Sequence, residues 1–267
     1  MAAFLDKIVA ATRRRVSEAK GSVDRDELER RAEEHVPRGF RRILESASDR
    51  IAVIAELKKA SPSKGLIRAA FNPVELAREL EAAGAVALSV LTDEEFFQGS
   101  LRNLREASAA VAVPCLRKDF IVDDFQLLEA RANSADAVLL IVAALQQEEL
   151  VAFVRGAREF ELDALCEVHD REELQRALDT GCDLIGVNTR DLKTFEVNLD
   201  TAFDLSEHFP ENVVRVAESG IRSAADIARL RIAEYDAFLI GESLMRAERP
   251  GEALRSLLRV PSSDPGN

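Results

Sequence analysis

Short apolar runs rich in β-branched residues recur along the chain, separated by amphipathic stretches of helical period. The runs predict strands near 51–57, 85–91, 112–117, 136–142, 163–168, 183–188, 212–217 and 236–241. Boundary signals mark the stretches between them. Asn72-Pro73 opens a helix whose apolar face carries Val74, Leu76, Ala77 and Leu80, and Gly84 closes it. Asp170 with Glu173 opens another in the manner of a capping box, and Gly181 ends it. Ser223 opens a third, with Ile227, Leu230 and Ile232 among its apolar positions. Ahead of the first strand, residues 3–19, 25–35 and 39–46 read as additional helices that pack against the body of the fold or cover its mouth.

Strands alternating with helices predict a parallel sheet. Eight such units in a domain of this size predict a closed α/β barrel, a single (β/α)8 barrel of the TIM type, with an N-terminal helical extension. The main structural rival is a doubly wound open sheet. It would announce a glycine-rich phosphate loop after its first strand, and GxGxxG is absent. The expected organisation is an extension over residues 1–48 packing on the barrel, a catalytic barrel over 49–260, and a disordered tail, PSSDPGN, over 261–267.

Composition narrows the function. No run of about eighteen apolar residues is present, so no membrane span is expected. The segment MAAFLDKIVAATRRR reads as an amphipathic helix and not as a signal peptide, which makes cytoplasmic residence the expectation. A formal charge of −12 argues against nucleic acid as a partner. The local exceptions, Arg13 to Arg15 and the group Arg38, Arg41 and Arg42, read as solvated helix faces. Cys115, Cys166 and Cys182 lie in apolar surroundings without CxxC spacing and read as buried thiols. His35, His169 and His208 show no metal-ligand spacing, and no redox or nucleotide motif is found, so neither metal nor cofactor is implied. The composition is compatible with a monomer or a homodimer.

The chemistry is concentrated in IAVIAELKKASPSKG, residues 51–65. Side chains alternate along a strand, so Ala52, Ile54, Glu56 and Lys58 share one side. An acid and an amine therefore project together from the end of an apolar strand, where burying either alone costs roughly several kcal/mol. Lysine usage sharpens the point: the chain has 29 Arg and 7 Lys, yet three of those lysines fall within residues 58–64 and a fourth, Lys118, sits in another motif. Lysine can surrender a proton and arginine effectively cannot, so a titratable ammonium is indicated.

In a (β/α)8 enzyme the working groups collect where strands end. The third strand gives PCLRKDF, in which Leu116, Lys118 and Phe120 share a parity; a charged turn, Arg117-Lys118-Asp119, is the plain alternative. The fifth, ALCEV, places Glu167 in an apolar run, where it needs a partner or a raised pKa. The sixth, LIGVNTRDL, puts Gly186, Asn188 and Arg190 on one side. VAESGI ends the seventh with Glu218, Ser219 and Gly220, and LIGESLM ends the eighth with Gly241, Glu242 and Ser243 at a helix start. Backbone N–H groups at helix starts attract phosphate, and this barrel type holds it after strands seven and eight. Two lysines, three glutamates and a phosphate site indicate acid–base chemistry on a phosphorylated small molecule. Schiff-base formation by Lys118 or Lys58 is a chemical alternative.

Taken together, AELKKASPSKG, LRKDF, CEV, IGVNTRDL, AESGI and LIGESLMR closely resemble the indole-3-glycerol phosphate synthase family over nearly the whole chain. The resemblance implies ring closure of 1-(2-carboxyphenylamino)-1-deoxyribulose 5-phosphate, with loss of carbon dioxide and water, in tryptophan biosynthesis. It implies Lys118 as the general acid and Glu167 in proton transfer, with Lys58 on the substrate anions and Glu56 holding it. Asn188 and Glu218 would orient substrate or these groups, with Ser219 at the phosphate end. For substrate binding it implies Gly220, Gly241 and Glu242 at phosphate and Ser61 and Arg190 near the carboxylate or phosphate. Pro62, Phe96, Phe97, Phe120 and Leu139 would line an apolar slot for the aromatic ring. Some family members carry a small hydroxyl residue where this chain has Glu242, so only the Glu242 backbone N–H should serve phosphate, with its side chain turned away. A phosphoribosylanthranilate isomerase would need a cysteine and aspartate pair where this first strand offers Glu and Lys. A lysine-dependent aldolase and a phosphate-binding scaffold without activity are the other rivals.

Overall fold

The computed structural model describes residues 4–47, 50–191 and 194–259. The expected boundary at residues 48 and 49 and the tail over 261–267 lie outside the described residues. Among the described residues, eight parallel strands close a barrel: β1 (Ala52–Leu57), β2 (Ala87–Leu91), β3 (Cys115–Lys118), β4 (Ala137–Ile141), β5 (Asp163–Val168), β6 (Leu184–Asn188), β7 (Val214–Glu218) and β8 (Ala237–Ile240). Each strand pairs with its sequence neighbours, and β1 closes the ring by pairing with both β2 and β8. The (β/α)8 barrel read from the sequence is the fold observed. A small hairpin, Ala60–Ser61 against Gly65–Leu66, follows β1.

Why the strands look uniformly apolar follows from this closure. Alternate residues such as Ile54, Leu116, Leu139, Leu165, Val216 and Leu239 fill the barrel interior. Their neighbours, including Val53, Leu88, Val138, Cys166, Ile185 and Phe238, are buried beneath the surrounding helices. With both faces covered, no polar alternation survives in the sequence. Each such Val, Leu, Ile or Phe contributes about 1.5–3 kcal/mol of burial.

The α-helices of the described residues are α1 (Phe4–Ser22), α2 (Arg25–Glu34), α3 (Phe40–Ser46), α4 (Pro73–Ala82), α5 (Leu101–Ala110), α6 (Phe125–Ala132), α7 (Gln147–Glu159), α8 (Arg171–Asp179), α9 (Asp200–Ser206), α10 (Ala224–Ile232), α11 (Glu242–Arg246) and α12 (Pro250–Leu258), and their boundary signals act largely as read. The Asn72 side chain accepts from Val74 N at 3.1 Å and Glu75 N at 3.3 Å to cap α4 (Pro73–Ala82), and Gly84 leaves it at φ +107°. Two readings differ. In α10 (Ala224–Ile232), Ile227 and Leu230 are buried but Ile232 is 84% exposed. Five residues past Ile227, it sits about 140° round the helix, off the buried stripe. In α8 (Arg171–Asp179), Asp170 accepts from Glu173 N at 2.9 Å, but the Glu173 carboxylate does not return to the capping residue. It reaches one residue further back, to the backbone N–H of His169 at 2.8 Å.

The extension brackets the barrel. Helix α3 (Phe40–Ser46) sends Phe40 and Leu44 into the interior cluster with Ala52 and Ile54, plugging the end where the strands begin. Helix α1 (Phe4–Ser22) lies across the opposite end. Arg15 and Arg38, whose clusters read as solvated helix faces, are instead half-buried and ion-paired to buried acids. Arg15 of α1 bonds Asp93 at 3.3 Å and Asp119 at 3.1 Å, both beyond strand ends and buried. Arg38 bonds the buried Asp136, which also accepts from Cys115 N at 2.6 Å. Those carboxylates are almost wholly withdrawn from water, and the cations of the extension help offset their desolvation. No helix among the described residues is long and apolar enough to cross a membrane.

The Asp136 latch generates a stability prediction. Asp136→Ala removes the carboxylate that pairs with the buried side of the Arg38 guanidinium, leaving it only the neutral acceptors of Ser108 and Val111, and leaves the Cys115 N–H without its acceptor. The expected loss in urea unfolding is about 3–5 kcal/mol; a loss below about 1 kcal/mol would show that the latch does not hold the extension.

Candidate active site

At the carboxyl ends of the strands lies a cavity of about 660 Å³. The same parity that aims Ile54, Leu116, Leu165 and Val216 inward carries Glu56, Lys118, Glu167 and Glu218 inward one step later. Lys118 Nζ donates to Glu167 Oε2 at 2.9 Å and lies 3.5 Å from Glu218 Oε2. Lys58 Nζ donates to the Glu56 carboxylate. Two glycines, one in β6 and one just past β8, make room for these acids: a Cβ on Gly186 would overlap Glu218 Oε1, and one on Gly241 would overlap Glu56 Oε1. The Ser219 hydroxyl donates to Asn188 Oδ1 at 2.8 Å, which also accepts from Arg190 N at 3.1 Å. Ser219 and Gly220 follow one another with φ of +66° and +73°; for a serine this is a strained conformation of the kind that collects at functional sites.

Behind Lys118 the motif Arg117-Lys118-Asp119 is no charged turn. Strand alternation sends Arg117 outward into full burial, where it bonds Asp119 at 3.0 Å and Glu129 at 2.7 Å. Asp119 also accepts from Thr92 Oγ1 at 2.7 Å. The strand end that presents Lys118 is thereby anchored from its outer side.

Electrostatics divide the buried groups. Burial works against a charged Lys118, yet the acids around it, the Glu167 carboxylate foremost, outweigh it and hold the proton on. Lysine usage suggests an amine ready to lose its proton; the acids around Lys118 make it a firmly protonated donor instead. Burial favours a neutral Glu167, but the charges of Lys118 and then His169 pull its pKa below the usual carboxylate range. For Glu218, burial raises the pKa to about 8, with Glu167 and Glu56 adding to the rise against Lys118. The site thus holds an ammonium, an ionised carboxylate and a neutral carboxyl side by side at neutral pH.

Of the residues singled out from the sequence, the cavity wall brings together Glu56, Lys58, Ser61, Pro62, Phe97, Lys118, Phe120, Leu139, Glu167, Asn188, Arg190, Glu218, Ser219, Gly220, Gly241 and Glu242. Phe96 is the one it leaves out, packing edge-on against Phe4 of α1 at 5.8 Å between ring centres. Phe97 instead faces Phe120 at 6.1 Å. The Glu242 carboxylate lies between Arg190 at 3.3 Å and Arg246 at 3.1 Å, which offset its charge along the wall. Sequence reasoning did not pick Phe4, Leu5, Ile8, Phe195 or Arg246, all of which line the cavity. Arg246 stands in the quoted LIGESLMR motif, where its spacing of four from Glu242 was the available signal. Phe4 and Phe195 stack edge-on at 5.4 Å, a pairing of the first helix with the loop after β6 that carries no local signature.

Comparison with known proteins supplies an independent finding. The family model described as indole-3-glycerol phosphate synthase matches residues 5–257. A curated indole-3-glycerol phosphate synthase from Koribacter versatilis is 59% identical over 259 residues, covering 97% of this chain and all of the relative. One from Burkholderia multivorans is 48% identical over 256 residues, covering 95% of this chain and 98% of the relative.

The raised pKa of Glu218 has a measurable consequence. A carboxyl whose folded pKa exceeds its unfolded value gives stability that is present below the unfolded pKa and lost as pH rises through the folded one. Between the ordinary 4.5 and about 8, the wild type should therefore lose stability relative to Glu218→Gln, whose side chain stays neutral. Unfolding free energies of both proteins across that window check it, and a difference independent of pH would refute it.

Proposed function

The chain belongs to the indole-3-glycerol phosphate synthase family, and on that premise we propose how its residues divide the reaction. It is a carbon–carbon lyase of tryptophan biosynthesis that closes the indole ring of 1-(2-carboxyphenylamino)-1-deoxyribulose 5-phosphate, releasing carbon dioxide and water. The observation that carries the assignment of roles is the Lys118 ammonium, held between Glu167 and Glu218 on the cavity floor.

In this reading the substrate spans the cavity. Its phosphate lies against the backbone of Gly220, Gly241 and Glu242, near Arg190, while its aromatic ring enters the slot formed by Pro62, Phe97, Phe120 and Leu139. Anchoring both ends bends a flexible chain into the shape in which ring carbon and ketone carbon meet. Lys118 gives its proton to the ketone oxygen as the carboxylate-bearing ring carbon attacks. Loss of carbon dioxide restores the aromatic ring. The new hydroxyl then leaves as water with a proton from Lys58, while Glu167 takes a proton from the adjacent carbon. Two protons given and one taken match the single proton consumed when an ionised carboxylate becomes carbon dioxide. Glu56 holds Lys58 in place, and Asn188 and Ser219 order the strand ends between the two halves of the site. Ser61 lies near the carboxylate, where Lys58 favours an anion until it is lost. Phe96 acts on the site only through Phe4.

All these residues come from one chain, so the reading serves a monomer and a homodimer alike. A phosphorylated substrate does not diffuse across membranes, which supports a cytoplasmic enzyme working beside its supply.

Turnover of the carboxyphenylamino-deoxyribulose phosphate by wild type and Lys118→Ala tests the proposal. The expected fall in kcat is about 10²–10⁴-fold, with substrate still bound by calorimetry. Unchanged turnover would remove Lys118 from its role. Substrate trapped on the wild type by borohydride would favour the Schiff-base rival.

A further inference from the structure

The mechanism uses Glu167 and leaves unexplained the ring behind it. His169 follows the end of β5 by one residue and does not line the cavity. Its Nδ1 lies 3.0 Å from Glu173 Oε2, the oxygen that also accepts from the His169 backbone N–H at 2.8 Å. Its Nε2 is buried, has no hydrogen-bond partner, and faces Glu167 Oε1 at 3.5 Å. Glu167 spends its other oxygen on Lys118. A carboxylate on α8, an imidazole, the Glu167 carboxylate and the Lys118 ammonium therefore form one line from the helix start into the cavity.

We infer that His169, oriented by Glu173, is a positioning residue for this reaction: as an imidazolium it fixes the Glu167 carboxylate and keeps it ionised for proton transfer. The inference rests on the role proposed above for Glu167.

Several observations converge on this arrangement. Glu173 sits where a capping-box acid belongs but is turned from the capping residue onto His169, satisfying backbone and ring with one oxygen. That bidentate hold determines which ring nitrogen faces Glu167. Closing the remaining gap to ordinary hydrogen-bond length takes a shift of about half an ångström, small enough to accompany substrate binding. The charged and titratable groups facing the pair are Glu173 from α8, Lys118 from β3, and Glu218 from β7, with Glu56 from β1 acting on Lys118 and Glu218. Strand β4 beside Glu167 presents Ile141, and β6 presents Gly186 and the Asn188 amide. Burial would strip the proton from the imidazole, but Glu173 first, then Glu167, hold it on. An uncharged residue at 169 would leave Lys118 as the lone cation on Glu167, shared with Glu218.

The test is the pH profile of kcat for wild type, His169→Gln, Glu173→Gln and the double variant, with thermal unfolding of each as a fold check. Removing a cation from beside a carboxylate raises its pKa, typically by about 1–3 units. The wild type should hold its kcat to the lowest pH at which it stays folded. In His169→Gln an acid limb should move up by at least about one unit, with KM changed less than about twofold, since His169 does not touch substrate. Glu173→Gln should move the limb in the same direction by less, and the double variant should match His169→Gln, because both act through one carboxylate. A profile parallel to wild type, whether lowered uniformly or unchanged, overturns the inference, as does an additive double variant. Wild-type turnover in the same buffers tests the underlying reaction separately: its absence defeats the proposed function, whereas turnover with an unshifted limb defeats only His169.

Discussion

One ammonium group, that of Lys118, is shared between two buried glutamate side chains at the centre of the barrel mouth, and the rest of the site is arranged around that constraint. Glu167, Glu218 and Glu56 are nearly inaccessible to water, and three negative charges packed together in a low-dielectric floor would repel strongly. The molecule resolves this unevenly. Lys118 bonds Glu167 and stabilises it as an anion, while Glu218, left with the longer contact and an unpartnered oxygen beside Gly186, keeps its proton. Different proton affinities for chemically identical groups thus arise from position alone, which is what acid–base chemistry in a single pocket requires.

That arrangement needs a rigid frame on every side. From outside, Arg117 ties the end of β3 to Asp119 and Glu129. From above, α1 reaches the same carboxylate system through Arg15 and lays Phe4 and Ile8 over the cavity. From below, α3 plugs the barrel with Phe40 and Leu44. Arg15 and Arg38 of the extension are therefore structural counter-ions to acids at strand ends. An arginine that reads as a solvated helix face becomes an internal partner once the helix is docked.

Much of the site was legible because strand parity is a local property. Once β1, β3, β5 and β7 are recognised, the residues two steps beyond their inward hydrophobics are the catalytic candidates, and Glu56, Lys118, Glu167 and Glu218 fall out in turn. The glycine pairs at the ends of β7 and β8 were readable for the same reason. Phe96 and Phe97 show the limit. They are adjacent, equally aromatic and in a loop with no period, so nothing local says that Phe97 faces the cavity while Phe96 meets Phe4. Glu173 shows another: its spacing from Asp170 signals a cap, but whether its carboxylate turns to the cap or to His169 depends on where β5 delivers that ring.

The sequence by itself determined the alternation of strands and helices, the number of βα units, the inward side of each strand and the resemblance that identifies the chemistry. These depend on hydrophobic period, caps and motifs, all of which act over a few residues. Only the tertiary structure decided which charges share a proton, which arginines serve as internal latches, and which residues of α1 and the β6 loop wall the cavity. Those outcomes are set by distances between groups far apart in the chain. A carboxylate's proton affinity depends on every charge within a few ångströms and on the water excluded around it, and neither quantity exists until the barrel has closed.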